Sequence, residues 1–125
     1  MADTPKRVVP VTVDVTPAAD GTVDITCSPN PANIIEGSSN VLLLFTLATP
    51  GYRFRTAKTI ELDVPVSDFP YASWTLGDTQ AALYDRNKVA DLLKYTVHVV
   101  DIKTGQEYSV DPEIKNGGGG LGDDY

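Results

Sequence analysis

The chain has 125 residues, a formal charge of −7 and a hydrophobic fraction of 42%, enough for one core that buries roughly two-thirds of the unfolded surface. A negative charge of that size repels a phosphate backbone, so no nucleic-acid partner is expected. The longest apolar run, Val41-Leu42-Leu43-Leu44-Phe45, falls far short of the about 20 residues that cross a bilayer, so no membrane span is expected.

Val9, Val11, Val13 and Val15 alternate with Pro10, Thr12, Asp14 and Thr16, the period of a half-buried strand, and Pro10 suggests a sheet edge. Pro17 to Gly21 supply a turn, after which Val23, Ile25 and Cys27 alternate with Thr22, Asp24 and Thr26; the two runs read as a hairpin. Pairing Val15 with Val23 would set Asp14 opposite Asp24, a like-charge pair screened by salt or by a cation. Cys27 shares the apolar parity and is the sole cysteine, so it is expected to be a buried, inert thiol with no disulfide partner. The amino terminus shows no secretory h-region, which makes cytoplasmic residence the default, although a mature secreted chain with its signal removed would read the same.

Ser28-Pro29-Asn30-Pro31 reads as a loop, because each proline lacks an N–H and restricts its predecessor. After the Ile34-Ile35 step and a turn at Gly37, Asn40 to Leu47 is the most apolar stretch and reads as a central strand buried on both faces. Tyr52 and Phe54 alternate with Arg53 and Arg55, and Ile60, Leu62 and Val64 with Glu61 and Asp63, which predicts two more strands. Phe69 to Leu76 is expected to be irregular, with Trp74 and Leu76 pointing inward. Gln80 to Tyr84 is open between strand and helical turn. Leu93, Tyr95, Val97 and Val99 alternate with Lys94, Thr96 and His98, and a turn at Lys103 to Gln106 leads into Tyr108 and Val110, a second hairpin. Residues 117 to 125 carry a run of four glycines and then Asp123-Asp124-Tyr125; they are expected to form a flexible acidic tail outside a single domain of residues 1–116.

About eight short strands with no long helical period predict an all-β, two-sheet antiparallel sandwich. Two patterns resemble immunoglobulin-like sandwiches: Pro31-x-x-Ile34-Ile35-x-Gly37-x-x-x-Val41-x-Leu43 and Asp91-x-Leu93-x-Tyr95-x-Val97. The second implies a corner in which the buried Tyr95 hydroxyl bonds backbone near Val89 to Asp91. Over most of its length the chain also resembles the DP-EP family of small bacterial sandwich proteins, through Thr49-Pro50-Gly51-Tyr52-x-Phe54, Tyr95-Thr96-Val97 and Asp111-Pro112-Glu113-Ile114-x-Asn116. That resemblance implies a fold and no activity.

His98 is the only histidine, so neither a blue-copper set nor a tight transition-metal site is expected, and no cofactor is. Asp111 and Glu113 share a face if extended, but Pro112 reads as a strand terminator. The glycine run does not connect a strand to a helix and so forms no phosphate loop. The chemistry therefore points to a non-enzymatic binding or structural module with an unidentified protein partner and an open oligomeric state. A small carboxylate hydrolase and a carbohydrate-binding sandwich stacking sugars on Tyr52, Tyr71 or Trp74 are the alternatives. The leading recognition candidates are Arg53, Arg55 and Lys58, where an acidic chain concentrates positive charge; the competing reading pairs the arginines with Glu61 and Asp63.

Overall fold

The structure, a computed structural model, describes residues 6–120. Among these the chain forms eleven strands and no helix: β1 (Arg7–Pro17), β2 (Val23–Ser28), β3 (Ala32–Ile34), β4 (Val41–Leu47), β5 (Tyr52–Phe54), β6 (Ile60–Leu62), β7 (Trp74–Thr75), β8 (Gln80–Asp85), β9 (Asp91–Asp101), β10 (Glu107–Val110) and β11 (Glu113–Asn116). A five-stranded sheet runs β2-β1-β4-β8-β7, and a six-stranded sheet runs β10-β9-β11-β3 with β5 and β6 also on β9. Both β10 and β5 pair with Val99 and Val100, so they lie on opposite edges of β9.

The period-two pattern decides which side chains meet between the layers. Val11, Val13, Leu43, Phe45, Ala81 and Leu83 come from the first sheet, and Phe54, Ile60, Tyr95, Val97, Val99 and Ile114 from the second, and all are buried in one core. Phe45 and Tyr95 meet edge to face across the layers, with ring centroids 5.6 Å apart, a geometry aromatic quadrupoles favour. Gln80 to Asp85 proves to be a strand, and one with almost no solvent contact.

Several expectations are corrected. The sheets are mixed rather than purely antiparallel: β1 runs parallel to β4, and β11 parallel to β3. These pairings join segments distant in sequence, which alternation alone does not align. Pro10 sits within β1 yet causes no break, because β2 pairs only from Thr12 onward and leaves that stretch of β1 with one hydrogen-bonded neighbour. The first hairpin pairs Val15 with Ile25. Asp14 therefore faces Thr26 and Asp24 faces Thr16, so the two carboxylates are diagonal rather than opposed. A shift of two residues keeps each side chain on its face while changing its partner.

The glycine run is part of the body. Gly117 N–H donates to the Ile34 carbonyl, Gly119 N–H to Lys88 and Gly120 N–H to Asn87, while Gly37 N–H donates to the Gly118 carbonyl. A Cβ at Gly117 would lie 2.4 Å from the Glu36 nitrogen, and one at Gly118 would lie 2.5 Å from the Ala90 nitrogen. The expected mobile tail of residues 117–125 is thus corrected for residues 117–120, and residues 121–125 lie outside the described residues. The tyrosine corner is corrected too. Tyr95 is fully buried, its hydroxyl makes no hydrogen bond to backbone, and burial, followed by the Cys27 thiol it faces, pushes its pKa upward. Tyr95 N–H is instead held by the Pro112 carbonyl.

Two outcomes follow from this packing. Gly118 and Gly119 both adopt positive φ, 79° and 75°, but a Cβ at Gly119 meets nothing closer than 3.7 Å. Gly118→Ala should therefore lower the melting temperature distinctly more than Gly119→Ala, which carries only the backbone strain of about 1 kcal/mol; equal shifts in thermal unfolding would contradict the tight docking. Tyr95→Phe removes a hydroxyl whose polar neighbour is only the weakly hydrogen-bonding Cys27 thiol, so stability should change by less than about 0.5 kcal/mol or rise. A loss on the order of 1 kcal/mol in chemical denaturation would reinstate a hydrogen bond to that oxygen.

Candidate functional site

The two sheets present very different outer faces. On the second sheet the outward residues of β9 are Lys94, Thr96 and His98, flanked by Glu61 on β6, Ser109 on β10 and Glu113 on β11. Arg55 is fastened into this surface. Its guanidinium donates to the Ala57 and Lys58 carbonyls at 2.8 and 3.0 Å, to Glu107 at 3.1 Å and to Glu61 at 3.3 Å. Glu61 also meets His98 Nε2 at 2.9 Å. Arg53 is half-buried and donates to the Phe54 carbonyl, while Lys58 is exposed on a loop with φ 51°. The three cations are not a converging set, because Arg55 spends its donors on its own sheet. Asp63 lies 3.4 Å from the Thr96 hydroxyl, whose single proton goes to the nearer Asp111. The arrangement is a surface charge network of the kind worth about 0–1 kcal/mol per pair.

The outer face of the first sheet is apolar. Cross-strand register sets Val8, Leu42 and Tyr84 in one row and Pro10, Leu44, Ala82 and Trp74 in the next. Tyr71 extends the first row by stacking on Tyr84, with centroids 5.8 Å apart and an interplanar angle of 8°. A third row holds Ser28, Thr12, Thr46 and Gln80, all uncharged. Asp14 and Asp24 lie farther along the same face, toward the first turn. Trp74 is 39% exposed, Tyr71 48% and Val8 53%. The expectation that Trp74 and Leu76 point inward is corrected, since both are exposed: β7 is a two-residue strand at the sheet edge, where the ring lies over the outer face opposite Ala82. Tyr52, the other candidate stacking residue, is half-buried and packs against the core.

Beside Tyr71 the segment from Val64 to Ser73 closes a cleft of about 370 Å³ against Ile60, Leu62 and Leu83, with Lys58 and Glu61 among its lining residues. Its apolar floor continues the character of the neighbouring face. Sequence reasoning missed this surface because Asn40 to Leu47, apolar at both parities, reads as a strand covered on both faces, and Gln80 to Tyr84 is open between strand and helical turn. Tyr71 covers Tyr84 on this side, while Leu42 and Leu44 of β4 are only half-buried.

At one end of the sandwich polar groups are buried instead. Asp85, Asn87, Asn40 and Asn116 are essentially inaccessible, as is Asp68. Asn87 organises three segments: its amide donates to the Ile35 and Ser38 carbonyls, and its Oδ1 accepts from Gly118 N–H at 2.8 Å. Asp85 Oδ1 accepts from Asn87 N–H and the Asn116 amide, while its Oδ2 has no partner. Asp68 accepts from the Lys88 and Val89 N–H groups. Neither aspartate was singled out by the sequence.

Cys27 is buried, and burial pushes its thiol up to about 11. Asp91 is exposed and accepts only from the neighbouring Leu92 N–H. Asp111 accepts the Thr96 hydroxyl at 2.7 Å, and the Asp123-Asp124-Tyr125 motif lies outside the described residues. Among the described residues no three His, Cys, Asp or Glu side chains form a metal-holding group, and no helix is long and apolar enough to cross a membrane. These features define an all-β protein of two mixed sheets with one polar and one apolar outer face. No family model matches the chain, and no curated protein matches it.

Asp85 makes the fold sensitive to pH. Burial pushes its carboxyl from the ordinary 3.8 up to about 7, with the Asn87 and Asn116 hydrogen bonds opposing and the charge of Asp68 adding to the rise. The folded state therefore holds a proton that the unfolded chain releases, so stability falls as pH rises from about 4 to about 7, by a ceiling of about 4 kcal/mol. The melting temperature should be lower at pH 8 than at pH 5, and Asp85→Asn should raise it at pH 8 and flatten the profile. An Asp85→Asn profile parallel to that of the parent would assign the pH dependence elsewhere.

Proposed function

We propose that the protein is a non-enzymatic binding or structural module whose recognition surface is the outer face of the first sheet. One observation carries this reading: the two central rows, from Val8 and Pro10 to Tyr71 and Trp74, hold no charged side chain, whereas the other outer face carries Glu61, Lys94 and Glu113 on neighbouring strands. A contiguous apolar surface on a folded domain is costly to leave in water and marks a place where something docks. The arginine-centred reading of recognition recedes, since Arg55 donates four hydrogen bonds, to Glu61, Glu107 and the Ala57 and Lys58 carbonyls. A carboxylate hydrolase has less support, because Asp14 and Asp24 are diagonal on an open strand surface and lack the enclosing cleft that paired catalytic acids use. The resemblances to immunoglobulin-like and DP-EP sandwiches belong to this proposal as architecture and add no activity.

A specific observation favours a second reading, carbohydrate binding. Exposed Tyr71 and Trp74 lie on one face beside a row of uncharged hydroxyl and amide groups, Ser28, Thr12, Thr46 and Gln80, and sugars need both an aromatic platform and neutral hydrogen-bonding partners.

Leu44→Glu places a charge at the centre of the face, at a half-buried outward position. Immobilised parent protein should retain partners from its native source that Leu44→Glu loses, with melting temperatures within a few degrees of each other. Identical retention by both proteins would remove the face from recognition. Trp74 is the only tryptophan, so a shift of its emission on titration with neutral oligosaccharides, lost in Tyr71→Ala, would select the sugar reading.

A further inference from the structure

We propose that the cleft beside Tyr71 binds the C-terminal end of an extended peptide, which adds a strand to the free edge of β6 and seats its terminal carboxylate between Lys58 and Ser73. This site lies apart from the apolar outer face and does not depend on the reading of that face.

The ladder between β6 and β9 decides which backbone groups reach the cleft. His98 N–H donates to the Thr59 carbonyl, and Asp63 N–H donates to the Lys94 carbonyl. In this register Thr59, Glu61 and Asp63 are the residues that bond β9, because an antiparallel ladder alternates bonded and non-bonded pairs. Ile60 and Leu62 therefore turn their N–H and C=O groups away from β9. The Ser73 contact agrees with this direction, since its Oγ accepts Ile60 N–H at 3.0 Å. β6 pairs with β9 alone, and among the described residues no hydrogen bond uses Leu62 N–H or the carbonyls of Ile60 and Leu62. These groups lie where Ile60, Leu62 and Ser73 line the cleft, an open strand edge of the kind to which an extended peptide pairs.

Charge sets the direction of the added strand and explains why it ends. Lys58 is the only cation among the lining residues, and it has no ion-pair partner among the described residues. Glu61, the other charged lining residue, has one carboxylate oxygen engaged by Arg55 and His98. Lys58 precedes β6, so an antiparallel peptide brings its C-terminal end to that ammonium, whereas a parallel one would bring its N-terminal end. In the antiparallel case the residue opposite Leu62 exchanges both backbone bonds with it, and the residue two positions on donates to the Ile60 carbonyl. The ladder stops there, because Ser73 already holds Ile60 N–H. A chain that ends at this residue needs no further donor from the strand. Its carboxylate instead accepts from the Lys58 ammonium and from the Ser73 O–H, whose proton is uncommitted among the described residues while its oxygen serves Ile60. Both pairing residues share the parity of Ile60 and Leu62 and turn their side chains into the cleft of about 370 Å³, over Leu83 and Phe69, so the last residue and the one two before it are apolar.

The test is an NMR titration of the isotope-labelled full chain with acetyl-Ser-Val-Thr-Val carrying a free C-terminal carboxylate, taken to about 2 mM. The Leu62 amide proton should move downfield and exchange with solvent at least about tenfold more slowly in the bound state. The same peptide as its C-terminal amide should bind at least about tenfold more weakly, and acetyl-Val-Ser-Val-Thr, with its apolar residues at the other parity, should also bind more weakly. Lys58→Asn, which suits the left-handed backbone at φ 51°, should weaken the carboxylate peptide about three- to fivefold and leave the amide peptide unchanged. Leu62→Pro removes an N–H that the sheet does not use and should abolish binding. Ala72→Trp, at an exposed position of the cleft wall, should do the same without altering the strand. Leu44→Glu should leave peptide binding unchanged, which separates this site from the apolar face. A Leu62 amide unmoved at the highest peptide concentration overturns the proposal, as does equal binding of the carboxylate and amide peptides or binding that survives both Leu62→Pro and Ala72→Trp. Octanoate binding as tightly as the peptide overturns it in favour of a small apolar acid.

Discussion

The second sheet depends on a single strand. Every other member of that sheet except β3 is hydrogen-bonded to β9 directly: β5 and β6 on one edge, β10 and β11 on the other. Its eleven residues keep Leu93, Tyr95, Val97 and Val99 inward without a break. The flanking segments are three or four residues long and have too few ladder bonds to stand alone. A slip of one residue in β9 would turn its core set to solvent and misalign four partners at once. The Phe45–Tyr95 contact then ties this strand to the centre of the other sheet.

Given that scaffold, the contrast between the outer faces is the feature that bears on function. Solvent is satisfied on one side by charges that neutralise each other locally, with Arg55 joining β6 to β10 through Glu61 and Glu107. On the other side, β4 and β8 carry Leu42, Leu44, Ala82 and Tyr84 where soluble sheets normally place polar residues. Tyr71 and Trp74 shield Tyr84 and Ala82 at one edge, while Leu42 and Leu44 at the centre are half-buried and Val8 at the other edge is exposed. The acidity of the chain supplies solubility that the face itself does not.

The buried polar end solves a different problem. Where strands stop, the Ser38 carbonyl and the Gly118 N–H come together in a region sealed from water, and Asn87 satisfies both from one side chain while also bonding the Ile35 carbonyl. The glycine run can approach because it has no side chains to accommodate. Asp85 orders this cluster by accepting from Asn87 and Asn116, and its remaining oxygen pays the desolvation that raises its proton affinity.

Sequence by itself determined what depends on local alternation and turn chemistry. The strands around Val9 to Val15, Val23 to Cys27 and Leu93 to Val99, the hairpin closing at Gly105, the inward placement of Cys27 and Tyr95, and the all-β class are each written in a period of two and in glycine and proline punctuation. Arg55 paired with Glu61 was likewise readable, because both lie at outward parity a few residues apart. Tertiary structure alone decided the parallel partners of β1 and β11, the diagonal placement of Asp14 and Asp24, the exposure of Trp74, the docking of the glycines and the burial of Asp85. Each of these is a relation between segments far apart in the chain. An apolar strand carries no mark of whether its second face will be covered, and a glycine run has no side chain to announce that it packs; only the arrival of the neighbouring layer, or its absence, settles both.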